Sequence, residues 1–175
     1  MFRMPCSFVY VVLILGLHAP AHASSNFFLT TQSGLSLNST SMNLGVEAGL
    51  REPSYGIFFK ADWNPWFATQ EIEDSLKPGV LNLGVGVEHL YFNDRCRFTF
   101  TTGTSTLLFD TALDEAATTG FFMEVVPVSL RWKLSDAFTL QIEPTAISLA
   151  MPVLTGIPLV SFQYRHSVSL EWRPQ

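Results

Sequence analysis

The chain has 175 residues and a net charge of −5; 47% of its residues are hydrophobic and only 14% are charged. Because soluble domains carry about 25% charged residues, this composition indicates that water is not the chain's only solvent. The acidic balance argues against a nucleic-acid binder, which needs clustered Lys and Arg. The mean hydropathy of +0.25 argues against a disordered chain. The length allows one domain.

Residues 1–23 have the pattern of a secretory signal peptide. Residues 1–3 supply a positive charge, Phe8 to Leu17 is almost wholly apolar, and residues 21–23 (Ala-His-Ala) precede a cleavage position. About ten apolar residues are too few for a membrane-spanning helix, which needs roughly twenty. We therefore expect residues 24–175 to form the mature domain, with 9 Lys+Arg and 15 Asp+Glu. Cys96 is then left without a partner for an internal disulfide.

The mature chain shows apolar and polar residues in alternation, broken by turn residues, which predicts β-strands. Three hairpins are predicted around Glu52-Pro53, Asn93-Asp94 and Ser135-Asp136. The predicted strands are Phe27–Leu37, Ser41–Arg51, Tyr55–Asn64, Val80–Tyr91, Arg97–Leu108, Phe121–Lys133, Phe138–Thr145 and Leu159–Trp172. The first is the weakest in pattern and the last is the clearest.

Eight antiparallel strands are enough to close a barrel. The tight turns follow the second, fourth and sixth strands and so lie at one end of the barrel, the short-turn end. The longer connections, near residues 65–78, 109–119 and 151–156, lie at the opposite, long-loop end. The short connection after the first strand is the exception. We predict an all-β, up-and-down transmembrane barrel with both termini at the short-turn end.

The composition of the two strand faces decides which face lies inside. One face carries bulky side chains such as Met42, Leu83 and Phe162, and the other carries small polar residues with charges of both signs. A narrow lumen needs small side chains and mutually neutralising charges, whereas a water-exposed exterior needs far more Lys and Glu. We therefore predict that the apolar face meets lipid. A soluble ligand-carrying barrel, with the faces reversed, is the alternative.

Aromatic residues of the apolar face gather near both strand ends. Amphipathic rings prefer the headgroup region of a bilayer, so two aromatic belts are expected. The short-turn belt comprises Tyr55, Tyr91, Phe98, Trp132, Phe138 and Trp172, and the long-loop belt comprises Trp63, Trp66, Phe109 and Phe121 or Phe122.

Charges on the polar face predict ion pairs in the lumen. The hairpin registers place Glu47 diagonal to Lys60 and Glu88 diagonal to Arg97. The other members of this predicted network are Arg131, which faces Gln141 or Glu143, and Arg165 and Glu171. Buried charges need partners, so we interpret the network as a charge-paired plug. A polar path or gate is the alternative.

Two prolines, Pro127 and Pro144, fall within the facing strands of the third hairpin. Neither can donate a ladder hydrogen bond, so they predict a shared bulge. A bulge would also explain Glu124, which otherwise shares a face with residues assigned to lipid. Those residues are Phe122, Val126 and Val128. On the return strand, Thr145 is assigned to the inward face.

A signal peptide, eight alternating strands and an amphipathic, aromatic-ended last strand resemble the small outer-membrane β-barrels of the OmpA/OmpX type. The resemblance covers the whole mature chain and is one of pattern. It implies a bacterial outer membrane and recognition of the last strand by the barrel insertion machinery. Family members usually end in an aromatic residue, whereas Trp172 is followed by residues 173–175. Either the signal tolerates this overhang, or the internal residues Tyr164, Val168, Leu170 and Trp172 carry it.

Some eight-stranded barrels are lipid-modifying enzymes, but no nucleophile and base combine in this sequence. The mature chain has two histidines, His89 near the short-turn end and His166 on the apolar face, and neither has a triad partner. We therefore predict no catalytic, cofactor-binding or metal-binding residues. Acidic residues in the two larger loops are interpreted as solvated, with divalent cations shared with lipopolysaccharide phosphates as the alternative. They are Glu71, Glu73, Asp74, Asp110, Asp114 and Glu115, with Lys77 as the accompanying cation.

The sequence thus predicts a monomeric outer-membrane barrel with a filled lumen and a structural or surface-interaction role. Its expected partners are outer-membrane lipids, lipopolysaccharide and the insertion machinery, with no nucleic acid. A lipid-modifying enzyme and a soluble periplasmic carrier are the competing hypotheses.

Overall fold

The structure, a computed structural model, describes residues 27–37, 42–65, 79–108, 117–154 and 156–174. These residues form nine strands: β1 (Phe27–Ser36), β2 (Met42–Arg51), β3 (Tyr55–Asn64), β4 (Gly79–Tyr91), β5 (Cys96–Leu108), β6 (Ala117–Lys133), β7 (Phe138–Leu154), β8 (Ile157–Pro158) and β9 (Ser161–Trp172). None of the described segments is a helix long and apolar enough to cross a membrane.

The eight long strands close into an antiparallel barrel, as predicted. Each pairs with its neighbours in the order β6-β5-β4-β3-β2-β1-β9-β7, and the pairing of β6 with β7 closes the ring. The weak first strand is confirmed, because β1 pairs along its length with both β2 and β9. The two-residue β8 forms a small hairpin with the end of β7. Closure pairs both edges of each long strand, as a lipid environment requires.

The two strand faces are oriented as the alternation predicted. Outward apolar side chains are widely exposed, with Ile57 and Val85 each at 63%. Inward polar side chains are buried, with Lys60 at 1% and Arg97 and Glu171 at 0%. This distribution is the reverse of that in a water-soluble barrel, so the soluble-carrier alternative is excluded by the fold itself.

The prolines of the third hairpin do mark a bulge, and the bulge changes which residues face inward. The β6–β7 register shifts between Val125 and Val128, and the β7–β9 register shifts between Glu143 and Ala146. Glu124 consequently points inward and is 1% exposed, as the bulge hypothesis required. Three assignments were wrong because one extra residue reverses the alternation: Phe122 and Val126 lie inside, and Thr145 lies outside.

The long-loop end is more regular than predicted. Ala117 to Thr119 and Met151 to Leu154 were assigned to loops but extend β6 and β7. Gly156, with φ of 80°, allows the chain to reverse within the β7–β8 hairpin. The predicted signal peptide, Trp66, Phe109 and the acidic loop residues lie outside the described residues.

At the short-turn end, the three predicted turns connect β2 to β3, β4 to β5, and β6 to β7. The turn after β4 is conformationally unusual, because Phe92, Asn93 and Asp94 all have positive φ, at 52°, 55° and 62°. Asn and Asp adopt this left-handed conformation more readily than other residues that carry a side chain, whereas a Phe there is uncommon. Arg95 N–H donates to the Phe92 carbonyl at 3.3 Å and closes the turn.

Candidate functional site

The lumen of the barrel is filled by charged side chains, which we call the ionic network. All are inward residues of the strands, and all are buried. They are Glu47, Arg51, Lys60, Asp62, Glu88, Arg97, Glu124, Arg131, Arg165 and Glu171.

Glu171, near the end of β9, is a central acceptor at the short-turn end of the network. Arg51 donates to its two carboxylate oxygens at 2.7 and 2.8 Å. Arg131 and Arg173 donate to Oε1 at 2.8 and 2.7 Å. Gln141 Nε2 adds a bond to Oε2 at 2.8 Å. One carboxylate is therefore shared by three guanidinium groups that come from three different parts of the chain.

Glu88 and Arg97 continue the network toward the middle of the barrel. Glu88 accepts from both Arg51 nitrogens Nε and Nη2 and from Arg97 Nε, the last at 2.6 Å. Arg97 Nη2 then donates to Glu47 at 2.8 Å. Each carboxylate here is shared between two cations. Truncating one side chain therefore removes an ion-pair partner from more than one buried charge.

Two inward aromatic rings pack against these guanidinium groups. Arg51 lies 4.2 Å from the centre of the Phe28 ring, and Arg97 lies 5.1 Å from that of Phe58. Such contacts favour arginine over lysine because the planar guanidinium stacks on the ring while its N–H groups stay paired. Gly86 faces Phe58 across the β3–β4 ladder, and a Cβ there would lie 2.3 Å from the ring. Glycine is thus required at this point for the ring to fit.

Near the middle of the lumen, Lys60 and Arg165 bind three carboxylates. Lys60 Nζ lies 3.5 Å from Glu47 and also pairs with Glu124. Arg165 pairs with Glu124 and, at 2.7 Å, with Asp62. Glu124 therefore connects the β3 lysine to the β9 arginine across the barrel.

Glu143 is held differently from the other buried acids. Gln32 Nε2 donates to its Oε2 at 2.6 Å, and the Ser167 hydroxyl donates to the same oxygen. Among the described residues it forms no ion pair.

Toward the long-loop end, buried apolar side chains replace the charged ones, beside buried amides such as Asn64 and Asn82. Five buried side chains pack together there, and we call them the apolar plug. They are Val80, Leu107, Phe122, Ala150 and Leu159, with Leu154 packed against them. The plug and the ionic network together fill the lumen from one end toward the other.

The predicted ion pairs are largely found. Glu47 and Lys60 form a direct cross-strand pair, where a diagonal one was predicted. Glu88 and Arg97 are diagonal, as predicted. Arg131 faces Gln141, and its carboxylate partner is Glu171. Arg51 and Asp62 also fall on the polar face of the alternation, but the sequence does not indicate their partners Glu171 and Arg165, which lie on a strand distant along the chain.

The two histidines lie outside the lumen. His89 stacks on Tyr55, with ring centres 4.5 Å apart, and its Nδ1 donates to the Ser54 carbonyl at 3.0 Å. His166 is exposed on the outward face of β9. Among the described residues, neither histidine is hydrogen-bonded to a serine or threonine hydroxyl.

The outward aromatic residues support the two predicted belts. Trp132 and Phe138 are exposed at the short-turn end, and Phe121 is exposed at the long-loop end. The barrel is closed and has eight long strands, an apolar exterior, aromatic rings at both ends and an interior of paired charges. These features are those of the small transmembrane β-barrels. The chain forms a small eight-stranded β-barrel whose apolar exterior is suited to lipid.

No protein-family model matches the chain, and no curated protein does. Among solved structures, the chain is similar to Neisserial surface protein A, with a TM-score of 0.62 at 9% identity, over 85% of this chain and 94% of that one. Weaker likenesses are the N-terminal barrel domain of Pseudomonas aeruginosa OprF (TM-score 0.47, 6% identity, 85% and 96% covered) and Ail of Yersinia pestis (0.44, 9%, 85% and 95%). At such identities the likeness concerns the fold.

Proposed function

We propose that the protein is a monomeric, non-enzymatic outer-membrane barrel with a structural or surface-interaction role, and that it does not act as a diffusion pore. The observation that carries this proposal is the filled lumen. The ionic network extends from the short-turn end past the middle of the lumen, and the apolar plug lies near the long-loop end. Eight-stranded barrels have an interior just wide enough for side chains, which agrees with this packing.

Outer-membrane lipids, lipopolysaccharide and the barrel insertion machinery are the proposed partners. The widely exposed aliphatic side chains of β3 and β4 are suited to acyl chains. β9, with Trp172 facing outward near its end, presents the amphipathic pattern that resembles the insertion signal of small barrels.

Two measurements test the location and the closed lumen. In cell fractionation the protein should sediment with outer membranes, and on a detergent gel it should migrate differently with and without heating, because folded barrels resist the detergent. In planar bilayers it should give no stable conductance steps. Release with periplasmic contents would contradict the membrane location, and large regular steps would contradict the filled lumen.

A lipid analysis tests the non-enzymatic part of the proposal. Overexpression should leave the chemical structure of lipid A unchanged. Altered lipid A that reverts in the His89→Ala or His166→Ala variant would instead identify a lipid-modifying enzyme.

A further inference from the structure

A cleft of about 920 Å³ opens at the short-turn end, between the turn after β4 and the turn after β6. We call it the turn cleft. Its charged lining residues are Asp94, Arg95, Arg131, Lys133, Asp136 and Arg173. Four cations therefore face two carboxylates in a concave site of a size suited to a small ligand or a lipid headgroup.

The cations of the turn cleft are unequally neutralised. Lys133 Nζ pairs with Asp136 at 2.6 Å, and this lysine holds the pKa of the Asp136 carboxyl below its usual value. Arg173 shares Glu171 with the ionic network. Arg95 has no ion pair among the described residues. The cleft thus keeps an excess of positive charge, while the loops at the opposite end of the barrel are acidic in sequence.

Arg131 forms the inner wall of the turn cleft and has unused hydrogen-bonding capacity. Its side chain is 2% exposed. Nη1 donates to the Asp94 carbonyl at 3.3 Å and Nη2 donates to Glu171 at 2.8 Å. Its buried Nε–H has no partner among the described residues. A buried guanidinium N–H without an acceptor is costly, and an anion bound in the cleft is the chemistry that would satisfy it.

The turn cleft also has an apolar side. Leu130, Trp132 and Phe92 line it, and Trp132 and Phe92 are 46% and 75% exposed. Trp132 belongs to the short-turn aromatic belt, so the cleft lies at the level of the lipid headgroups on the periplasmic side. A ligand held there contacts buried arginine on one side and membrane-facing aromatic residues on the other.

We infer that the turn cleft binds the phosphate of an anionic phospholipid of the inner leaflet. Arg95, Arg131 and Lys133 contact the phosphate, and Trp132 and Leu130 contact the glycerol and upper acyl region. Basic side chains next to a membrane attract anionic lipids, and arginine matches the geometry of phosphate oxygens. This inference rests on the proposed outer-membrane location, because in such barrels the short turns face the periplasm.

Native mass spectrometry of the detergent-extracted protein tests the inference. The protein is incubated with phosphatidylglycerol or, for comparison, with phosphatidylcholine, and the retained lipid is counted. We expect preferential retention of phosphatidylglycerol, reduced about tenfold in an Arg95→Gln, Lys133→Gln double variant. Arg131→Gln should reduce it as well. Lys77→Gln removes a cation from the loop between β3 and β4 at the opposite end and should leave retention unchanged.

Heat-dependent gel migration of each variant shows whether the barrel is folded, which separates failure of the site from failure of the fold. The double variant changes exposed residues at the turns, so it should fold even if Arg131→Gln does not. Equal retention of the two lipids, or unchanged retention in the folded double variant, would overturn the inference. Displacement of phosphatidylglycerol by an equal concentration of inorganic phosphate would also overturn the lipid assignment and indicate a free-phosphate site.

Discussion

The short-turn half and the long-loop half of the lumen are filled by different chemistry. The short-turn half holds guanidinium and carboxylate groups that share partners, as Glu171 does with Arg51 and Arg131. The long-loop half holds the apolar plug, in which Leu107 and Phe122 are 2% and 1% exposed. An ion pair depends on a specific partner, whereas an apolar contact depends mainly on volume.

This difference shows how the lumen of a narrow barrel can be filled without the wholly apolar core that soluble proteins have. The exterior already lies in lipid, so apolar groups gain little by moving inside. Polar groups gain by facing one another in the interior, where electrostatic interactions are weakly screened. The plug lies between the ionic network and the long-loop mouth, so it limits the access of water to the charged layer from that side.

The largest expected effect is the removal of the shared carboxylate in the short-turn half. Glu171→Ala leaves Arg51 and Arg131 buried without their common partner, and should lower the free energy of unfolding by about 3 to 5 kcal/mol. Urea unfolding of the protein in lipid vesicles, followed by tryptophan fluorescence, measures the change.

Glu171→Gln is the matched control for this variant. It keeps an acceptor oxygen for the arginines and removes the negative charge. Its free energy of unfolding should therefore lie between that of the native protein and that of Glu171→Ala. A loss of less than about 1 kcal/mol for Glu171→Ala would mean that water reaches the network and that the ionic half is not dry.

The second prediction concerns the apolar plug. Leu107→Ala removes a buried side chain and leaves a cavity, which should cost about 2 to 4 kcal/mol in the same unfolding experiment. Leu108→Ala is its matched control, because the neighbouring Leu108 points outward and is 43% exposed. Lipid can replace that side chain, so the control should cost much less. Equal losses would show that the plug is loosely packed.

The sequence predicted the barrel, its strand faces and several lumen charges because alternation and turn residues are local signals. It misassigned Phe122, and hence part of the plug, because a bulge inserts one residue and so reverses the alternation on one side of it relative to the other. The position of Glu124 on an apolar face was the available clue. The partners of Arg51 and Arg165 could not be predicted, since they cross the lumen between strands far apart along the chain.

The third prediction compares the interior with the lipid-facing surface. Leu83 is 38% exposed on the outward face of β4. Leu83→Arg places a charge in lipid and should reduce stability by about 2 to 4 kcal/mol if the site lies near the bilayer midplane. Thr101→Ser, which removes one inward methyl group, should cost less than about 1 kcal/mol. Similar losses for the two variants would indicate that the two faces are not chemically distinct.

The smallest effect is expected at the exposed pair between Lys133 and Asp136, whose side chains are 66% and 78% exposed. The lysine lowers the pKa of Asp136, so the pair stabilises the fold above the ordinary aspartate pKa of 3.8 and loses this contribution as the pH falls through the lowered value. Asp136→Asn should therefore cause a barely measurable loss at neutral pH that disappears in acid and at high salt, because solvent screens exposed charges. Vesicle unfolding across pH and salt measures this. A loss as large as that of Glu171→Ala would mean that burial is not what distinguishes the ionic network from an ordinary surface ion pair.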